Sequence, residues 1–373
     1  MNILLGYGYY PGTTGIYVER YLAQQHHVIY VGTPWDDRAG YVPNLDLARL
    51  VATLPFKVDL FLYIDSGNVS YAPTGLEALP FPTAAYLIDA WPPGLSQKNT
   101  FRLRLAPLFD YLFVAHLGAV EVFRAWREGL AVHWLPVACD PEIHIGQKRE
   151  RIYDIGFVGQ YNPKSYPDRV SLLGMLSQKY RMNDFRQAYA MHDMARVYGE
   201  SKIGFNLSHG DILPMRFFEV LASGALLLTR QSEHNGQSQL TDLEEDEHFV
   251  TFKTRDDLLS KIDYYLQYAE ERERIAYAGQ ASVLAHHTYA HRLHALVETI
   301  VADGARMCAP VRSWSAEQRA FAYMELHSMM RMVDATMYDV LPPSRGLLNL
   351  AARSRQLYYT LTAVLRRIRH EWE

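Results

Sequence analysis

Short apolar runs alternate with amphipathic stretches along most of the chain. This alternation is typical of strand–helix–strand units, which build parallel sheets. In the first part of the chain, the apolar runs predict strands at 2–7, 27–32, 58–64, 83–89, 111–116 and 132–137. A helical period between some of these runs predicts helices at 15–24, 44–54 and 117–127.

A break in this pattern follows at 139–154. The sequence CDPEIHIGQKRERIYD has a proline, a glycine and many charges, so it is predicted to be a linker. A second series then predicts strands at 154–160, 202–208, 225–229 and 248–252, and helices at 167–180, 191–199, 214–223, 237–243, 255–268 and 270–284. We therefore predict an α/β protein with one doubly wound, Rossmann-like domain at 1–148 and a second at 149–302, facing each other across a cleft.

The last part of the chain, 303–373, has a different pattern. It is rich in methionine and helical in period up to the sequence PPSRG, after which a second helical stretch follows. From Arg345 onward it has six arginines against two glutamates. Two interpretations stay open. One is a helical extension that packs on the N-terminal domain or on a second subunit of a homodimer; the other is a basic helix in weak peripheral contact with anionic lipid.

The chain has 373 residues, about twice the size of a typical domain, and a formal net charge of −4. This charge gives no general attraction to nucleic acid, so no nucleic-acid partner is predicted. The two cysteines, Cys139 and Cys308, form no disulfide framework, which favours a reducing compartment. Without a signal peptide or a long apolar run, the protein is predicted to be cytoplasmic, with the inner face of the membrane as the place of any lipid contact.

The first loop, GYGYYPGTTG, follows a predicted strand and leads into a helix. Its Gly6-x-Gly8 start is similar to a dinucleotide-binding fingerprint. However, Pro11 occupies the place of the third glycine, and no acidic residue follows the second strand, which disfavours NAD. The loop can still let a ligand approach its backbone. Its cleft-facing candidates are Gly12, Thr13, Thr14 and Gly15.

The second loop, GFVGQYNPKSYPDR, opens the second series. Gly159 ends the strand, and the lack of a side chain there lets a nucleotide or phosphate come close. Hydrogen-bond donors follow it at Asn162, Lys164, Ser165 and Arg169. The alternative is a solvated turn between a strand and a helix.

Two charged residues lie inside the most apolar helix of the second series, in the sequence DILPMRFFEVLASGALLLT. Arg216 and Glu219 are three positions apart, so they share one face near the helix start. A carboxylate accepts hydrogen bonds from both hydroxyls of a ribose, and a guanidinium matches phosphate oxygens. The pair therefore predicts a nucleoside-diphosphate site. An ion pair that only holds the helix in place is the alternative.

Several familiar motifs are missing from the sequence. There is no Asp-x-Asp, no Walker loop and no Gly-x-Ser-x-Gly. His287 and His291 have a spacing that suits a shared metal, but no acid or cysteine completes a site, so no metal and no cofactor are predicted. Thr288 is instead predicted to cap the last helix of the second domain.

Segments that follow one another along the chain resemble a known family: FDYLFVAHLGAVEVFR, WLPVACDPEIH, YDIGFVGQYNPKSYPDR, SKIGFNLSHGD, MRFFEVLASGALLLT and HTYAHR. Over 109–302 the chain resembles a GT-B glycosyltransferase, above all of the CgeB-like (spore maturation protein) group, which is related to glycosyltransferase family four. The first hundred residues are similar only in fold pattern, and the tail beyond 303 has no counterpart. The resemblance implies two Rossmann-like domains around a central cleft and a nucleoside-diphosphate sugar as the donor substrate.

The resemblance also implies roles for single residues. Family-four enzymes have two glutamates around this helix start, of which the second binds the ribose and the first contacts the transferred sugar. Glu219 takes the second place, and Asp211, a shorter acid, takes the first. The further candidates that it implies are His209 for the sugar, and Arg216, Arg169 and Lys164 for the diphosphate.

The predicted reaction is transfer of a sugar to a hydroxyl acceptor (a glycan, a protein or a small molecule), without a metal and with retention of configuration. Arg216 and Asp211 are predicted to act at the reacting centre. In the N-terminal domain, Asp65, Asp89 and His116 end predicted strands, and His116 is the first candidate for contact with the sugar or acceptor. If the reaction inverts configuration, a base has to come from this domain.

Two alternatives of other kinds stay open from the sequence. The first is a catalytically silent protein that binds a sugar nucleotide or glycan in cell-surface or spore-surface assembly. The second is a sugar-nucleotide epimerase of the same fold, which needs a cluster of acids that the sequence does not place in the cleft.

Overall fold

The computed structural model describes residues 1–9, 13–32, 46–65, 73–90, 97–126, 128–145, 150–208, 212–232 and 239–337. An N-terminal sheet of six parallel strands has the order β2-β1-β3-β4-β5-β6. These strands are β1 (Asn2–Tyr7), β2 (His27–Val31), β3 (Leu60–Asp65), β4 (Thr83–Leu87), β5 (Tyr111–Val114) and β6 (Ala131–Trp134). The order reverses at β1 and β3, and sheets of this kind bind ligands outside the carboxyl ends of strands at such a point.

The middle strands of this sheet are buried along their whole length. Every residue of β3, β4 and β5 is buried, because helices and the chain's last described segment cover both faces. Strands of that kind need continuous apolar runs rather than alternation, which is why the sequence predicts them well. The connecting helices are α1 (Thr14–Gln25), α2 (Leu47–Thr53), α3 (Gln97–Leu105) and α4 (Leu117–Trp126).

A second parallel sheet has four strands in the order β10-β9-β8-β7. Its strands are β7 (Tyr153–Gly156), β8 (Ser201–Asn206), β9 (Leu226–Arg230) and β10 (Val250–Phe252). Its helices are α6 (Pro167–Lys179), α7 (Met191–Gly199), α8 (Met215–Ala222), α9 (Arg255–Gln267), α10 (Ala269–His286) and α11 (Tyr289–Ala302). Helices α6 and α9 pack on one face and α8 on the other, so this sheet is also doubly wound.

Helix α11 returns from the second sheet to the first. Tyr289, at its start, stacks on Tyr17 of α1 with ring centroids 5.3 Å apart and an interplanar angle of 4°. One turn along, Nε of Arg292 donates a hydrogen bond to the carbonyl of Pro136 at 2.9 Å. These contacts hold the α8–α11 side of the second sheet against α1.

The described part of the tail packs on the N-terminal domain. Arg312 forms an ion pair with the buried Asp110, with 2.8 Å between Nη2 and Oδ2. Tyr323, in α12 (Ala316–Met337), donates a hydrogen bond to Glu77 at 2.8 Å, and α12 lies along α3. Residues 338–373, where the basic helix is predicted, lie outside the described residues.

The predicted strands of both series are present, and most end earlier than predicted because their last residues leave the sheet to form the loops. Helix α3 was not predicted, because its sequence QKNTFRLRL has only three apolar residues, all in its second half. The predicted linker is not fully solvated. It contains α5 (Pro141–His144), which the side chain of Asp140 caps and which buries Ile143 and His144. The predicted helix at 237–243 falls partly outside the described residues. In the described parts of the chain, no helix has the length and apolar character needed to cross a bilayer.

Candidate functional site

Helix α8 begins just beyond the carboxyl end of β8. Pro214 is its N-cap residue, and Phe217, Phe218, Val220 and Leu221 are completely buried. These four side chains fix the helix against the second sheet, while Arg216 and Glu219 lie on the remaining face. The first amides of a helix have no intrahelical acceptor and carry a partial positive charge, so this position suits an anion.

The guanidinium of Arg216 connects the ends of β7 and β8. Its Nε donates to the carbonyl of Val158 at 2.8 Å, and its Nη1 donates to Oδ1 of Asn206 at 3.2 Å. The group lies over the ring of Phe157, 4.6 Å from the centroid. The side chain is half-buried, so a fixed cation is presented at the strand ends.

Gly159 lies directly against this guanidinium. A Cβ at position 159 would be 2.1 Å from Nη2 of Arg216, a distance that no side chain can occupy. The sequence predicts that this glycine lets a ligand approach. In the structure, the space beside it is occupied by the guanidinium of Arg216, which would have to move if a side chain were present.

Glu219 is a buried carboxylate with an unusual environment. It is 6% exposed, and burial raises its pKa to about 7, with Arg216 acting in the opposite direction. Within the described residues its carboxylate accepts no hydrogen bond, and the ring of His144 lies 3.9 Å away. No ion pair joins it to Arg216 in this part of the chain, which is evidence against the alternative of a purely structural pair. A buried carboxylate without hydrogen bonds is costly, so a ligand with hydroxyl donors fits here.

The second loop uses its polar side chains in two ways. Asn162 accepts hydrogen bonds from the backbone N–H groups of Lys164 and Ser165 at 2.9 and 3.2 Å, so its side chain shapes the turn. Lys164 is exposed, and its contact with a diphosphate stays a prediction.

Arg169 does not face the donor as predicted. It is 7% exposed, and its terminal nitrogens donate to the carbonyls of Gln160 at 3.1 Å and Leu207 at 2.9 Å. Burial and the neighbouring Arg216 lower its pKa to about 10. These bonds join the loop after β7 to the loop after β8, so Arg169 holds the two loops in place.

The first loop is described only from residue 13 onward. Thr13 is completely buried at the N-cap of α1, and Thr14 begins the helix. A Cβ at Gly15 would lie 2.3 Å from the ring of Tyr7, so this glycine is required for packing rather than for a ligand. Gly12 lies outside the described residues.

The predicted acids of the N-terminal domain have different environments. Asp65 is fully buried in an ion pair with Arg102 of α3, which is 2% exposed, so the prediction that Asp65 faces the cleft is wrong. The guanidinium of Arg102 compensates the charge of Asp65. Asp89 is half-buried, and its charge also acts on Arg102.

His116 lies at the end of β5 and is 5% exposed. Its Nδ1 is buried and has no hydrogen-bond partner among the described residues. Burial and the charge of Arg102 lower the pKa of His116 to about 4, so the ring is neutral at neutral pH. A neutral imidazole with an open nitrogen can accept a hydrogen bond or a proton.

Two more residues beside Glu219 were missed by the sequence analysis. Tyr17 of α1 and His144 of α5 approach each other at 3.4 Å, next to the carboxylate. His144 was hidden in the predicted linker, and a strand–helix pattern gives no signal for it. Two predicted sugar contacts, His209 and Asp211, lie outside the described residues.

The histidines considered for a metal have other partners. His291 takes part in a capping box with Thr288, which confirms the predicted cap of α11. His287 lies 2.7 Å from Asp242 and is bonded to Arg292. Among the described residues, no three His, Cys, Asp or Glu side chains are grouped as metal ligands.

Comparison with known proteins places this geometry in a wider context. Residues 149–298 match the family described as glycosyl transferase-like. HepE from Anabaena, solved in complex with UDP, has a TM-score of 0.59 at 12% identity, over 81% of this chain and 99% of that chain. The chain has the GT-B fold.

Two further GT-B neighbours support this conclusion. Sucrose-phosphate synthase from Thermosynechococcus elongatus has a TM-score of 0.56 at 12% identity, covering 81% of this chain and 99% of that chain. The α,α-trehalose 6-phosphate synthase from Burkholderia multivorans has a TM-score of 0.53 at 11% identity, with 82% and 97% covered. No curated protein sequence is detectably similar to the chain. The predicted GT-B fold is confirmed, and the glycosyl transferase-like domain contains Gly159, Arg216 and Glu219.

Proposed function

We propose that the protein is a glycosyltransferase that moves a sugar from a nucleoside-diphosphate sugar to a hydroxyl acceptor. The observation that carries the proposal is Glu219, a buried carboxylate that accepts no hydrogen bond from the described residues, beside the fixed guanidinium of Arg216 at the start of α8. A ribose supplies two hydroxyl donors to the carboxylate. The diphosphate then lies at the helix N-terminus and Arg216.

The leaving group needs its negative charge stabilised as the sugar departs. Arg216 and the amides of the first turn of α8 supply this without any reorganisation, because the guanidinium is already held by Val158 and Asn206. Lys164, which is exposed in the loop after Gly159, is the candidate for a second cation. This arrangement supports a transferase that needs no metal ion and no cofactor.

His116 is the N-terminal residue best suited to meet the sugar or the acceptor. It is neutral, and its Nδ1 has no hydrogen-bond partner among the described residues. With retention, as in family-four enzymes, the leaving phosphate can accept the proton of the acceptor hydroxyl, and His116 then only orients that hydroxyl. With inversion, His116 is a better base than Asp65, whose charge is paired with Arg102.

The donor class is suggested by the GT-B neighbours. HepE is solved in complex with UDP-glucose as well as with UDP, so uridine nucleotides are the first probes for this protein. The sequence segments within 109–302 that resemble the CgeB-like group support membership of that group. A glycan, a protein or a small molecule is the acceptor.

The proposal is tested with a panel of UDP-, GDP- and dTDP-sugars, by thermal shift and by release of free nucleotide. We expect at least one sugar nucleotide to stabilise the wild-type protein, and Glu219→Ala to abolish the shift. Glu298→Ala is the control, because Glu298 is exposed on α11 and pairs only with His294 in the described structure. A protein that no nucleotide stabilises is not a glycosyltransferase of this kind. Binding without turnover on any acceptor would favour the silent sugar-nucleotide binder.

A further inference from the structure

His144 lies beside Glu219 and is completely buried. Its Nε2 is 3.9 Å from Oε1 of Glu219 and 3.4 Å from Oη of Tyr17. The three side chains come from α5, α8 and α1. The ring therefore lies where the linker, the candidate donor site and the N-terminal domain meet.

The backbone of α5 determines which ring nitrogen of His144 carries the proton. The N–H of Asp140 donates to Nδ1 at 2.8 Å, so Nδ1 is an acceptor. Burial lowers the pKa of His144 to about 3, so the ring is neutral at neutral pH. A neutral imidazole with an unprotonated Nδ1 has its proton on Nε2. The nitrogen that faces Glu219 is thus a hydrogen-bond donor.

We propose that His144 is a positioning residue for ribose recognition, whose Nε2–H orients the carboxylate of Glu219 toward the diol of the donor. The inference rests on the proposed function, because it assumes that Glu219 binds the ribose. A distance of 3.9 Å is too long for a hydrogen bond, but such contacts in ligand-free sites often shorten when the ligand binds. In the free protein, the nearer partner of the Nε2–H of His144 is the hydroxyl oxygen of Tyr17, 3.4 Å away.

Most other polar groups around Glu219 already have acceptors among the described residues. The hydroxyl of Tyr198 donates to the carbonyl of Val158 at 3.2 Å, that of Tyr289 donates to Sδ of Met215 at 3.1 Å, and Arg216 is held by Val158 and Asn206. The groups that act on Glu219 are Arg216 of α8, Tyr17 of α1, Cys139 before α5, His144 of α5, Tyr198 of α7 and Tyr289 of α11. Arg216 supplies the charge that favours the carboxylate, and His144 supplies a donor with a fixed direction.

The position of the ring is itself held by the N-terminal domain. Asp140, which fixes Nδ1, pairs with Arg20 of α1 at 3.3 Å. Glu142 of the same short helix also pairs with Arg20. Arg20 thus links α1 to the short helix that carries His144.

The test compares nucleotides with and without the diol. UDP and 2′,3′-dideoxy-UDP are titrated into the wild type, His144→Phe and His144→Gln, together with the GDP and ADP pairs in case uridine is not the base. His144→Phe keeps the ring volume without a donor, and the amide of His144→Gln restores a donor near Nε2. We expect His144→Phe to bind the ribonucleotide about tenfold more weakly, with no change for the dideoxy form. His144→Gln should recover most of the affinity.

The outcomes are distinguishable from failure of the proposed function. If the wild type binds none of the ribonucleotides, the proposed function fails and takes this inference with it. If the wild type binds and His144→Phe binds as tightly, only the role of His144 is wrong. An equal loss for both forms of the nucleotide would mean that His144 only maintains the fold.

A measurement on the wild type covers the case in which the Phe variant does not fold. With ¹⁵N-labelled histidine, the shifts of His144 should show an Nε2–H tautomer in the free protein. The Nε2–H signal should move toward a stronger hydrogen bond when the ribonucleotide, but not the dideoxynucleotide, is added. A proton on Nδ1, or a signal unchanged by the ribonucleotide, would overturn the inference.

Discussion

The carboxylate of Glu219 is the residue on which the functional account depends. It is more costly to the free protein than a neutral side chain of the same shape, because burial weakens its hydration and no described residue replaces the lost water with a hydrogen bond. A ligand with hydroxyl donors is expected to stabilise this carboxylate by supplying the hydrogen bonds. That property makes Glu219 testable through the pH dependence of stability.

Glu219→Gln should change how stability depends on pH. The pKa of Glu219 is raised from 4.5 to about 7, so the folded state holds its proton more tightly than the unfolded state. The free energy of unfolding should therefore fall as pH rises from about 4.5 to about 7, and stay lower above that. The glutamine variant should lack this fall and be more stable by about 3 kcal/mol at about pH 8. Urea unfolding on both sides of this range measures it, and the same pH dependence in both proteins would contradict the burial argument.

Gly159→Ala should weaken nucleotide binding much more than it weakens the fold. Its methyl group would lie 2.1 Å from Nη2 of Arg216, so the guanidinium has to leave its place at the strand ends. We expect a loss of about tenfold or more in nucleoside-diphosphate affinity. Gly174→Ala is the matched control, because a Cβ there meets nothing within 4 Å and the change lies in helix α6. Equal affinities for both variants would show that Arg216 is not a phosphate ligand.

At the scale of elements, the sequence predicts this protein well wherever apolar runs decide the structure. The strands of both sheets and the capped start of α11 follow from local patterns. The positions of Asp65 and Arg169 do not, because a buried charge is recognised only when its partner in the folded chain is known. Arg102, which pairs with Asp65, comes from a helix with few apolar residues, and His144 comes from a segment with the composition of a linker.

Helix α3 is held to the N-terminal sheet by the buried pair of Arg102 and Asp65. Removing one partner leaves the other charge buried and unpaired, which typically costs about 3–5 kcal/mol. Arg102→Met should therefore be strongly destabilised in thermal or urea unfolding. The double variant Arg102→Met with Asp65→Asn should recover a large part of the loss. A single variant that loses less than about 1 kcal/mol would show that the pair does not hold the helix.

At the scale of the whole molecule, α11 and the described tail join the second sheet to the first. Tyr289 stacks on Tyr17, and further along the chain Arg312 covers the charge of Asp110. The sequence is compatible with a tail that packs on the N-terminal domain, on a second subunit or on a lipid surface. Its described part contacts the N-terminal domain, and residues 338–373 still carry the proposals of self-association and lipid contact.

Two truncations separate these functions of the tail. Removal of residues 338–373 should leave the nucleotide-dependent thermal shift unchanged, because the ion pair of Arg312 and the contact of Tyr323 are retained. Removal of 303–373 should lower the melting temperature by several degrees, since Asp110 is left buried without its partner. Loss of nucleotide binding in the shorter truncation would place part of the site in the tail. Vesicles with anionic lipid, and sedimentation of the full chain, test lipid contact and dimerisation in the same proteins.

The most direct test of the central claim is a calorimetric titration of the wild type and Glu219→Ala with the nucleoside diphosphate that gives the largest thermal shift. We predict saturable binding to the wild type and to Glu298→Ala, and affinity lower by about 100-fold or more in Glu219→Ala, because two hydroxyl hydrogen bonds to a charged group are lost. Equal affinity in all three proteins, or no binding to the wild type, would contradict this claim.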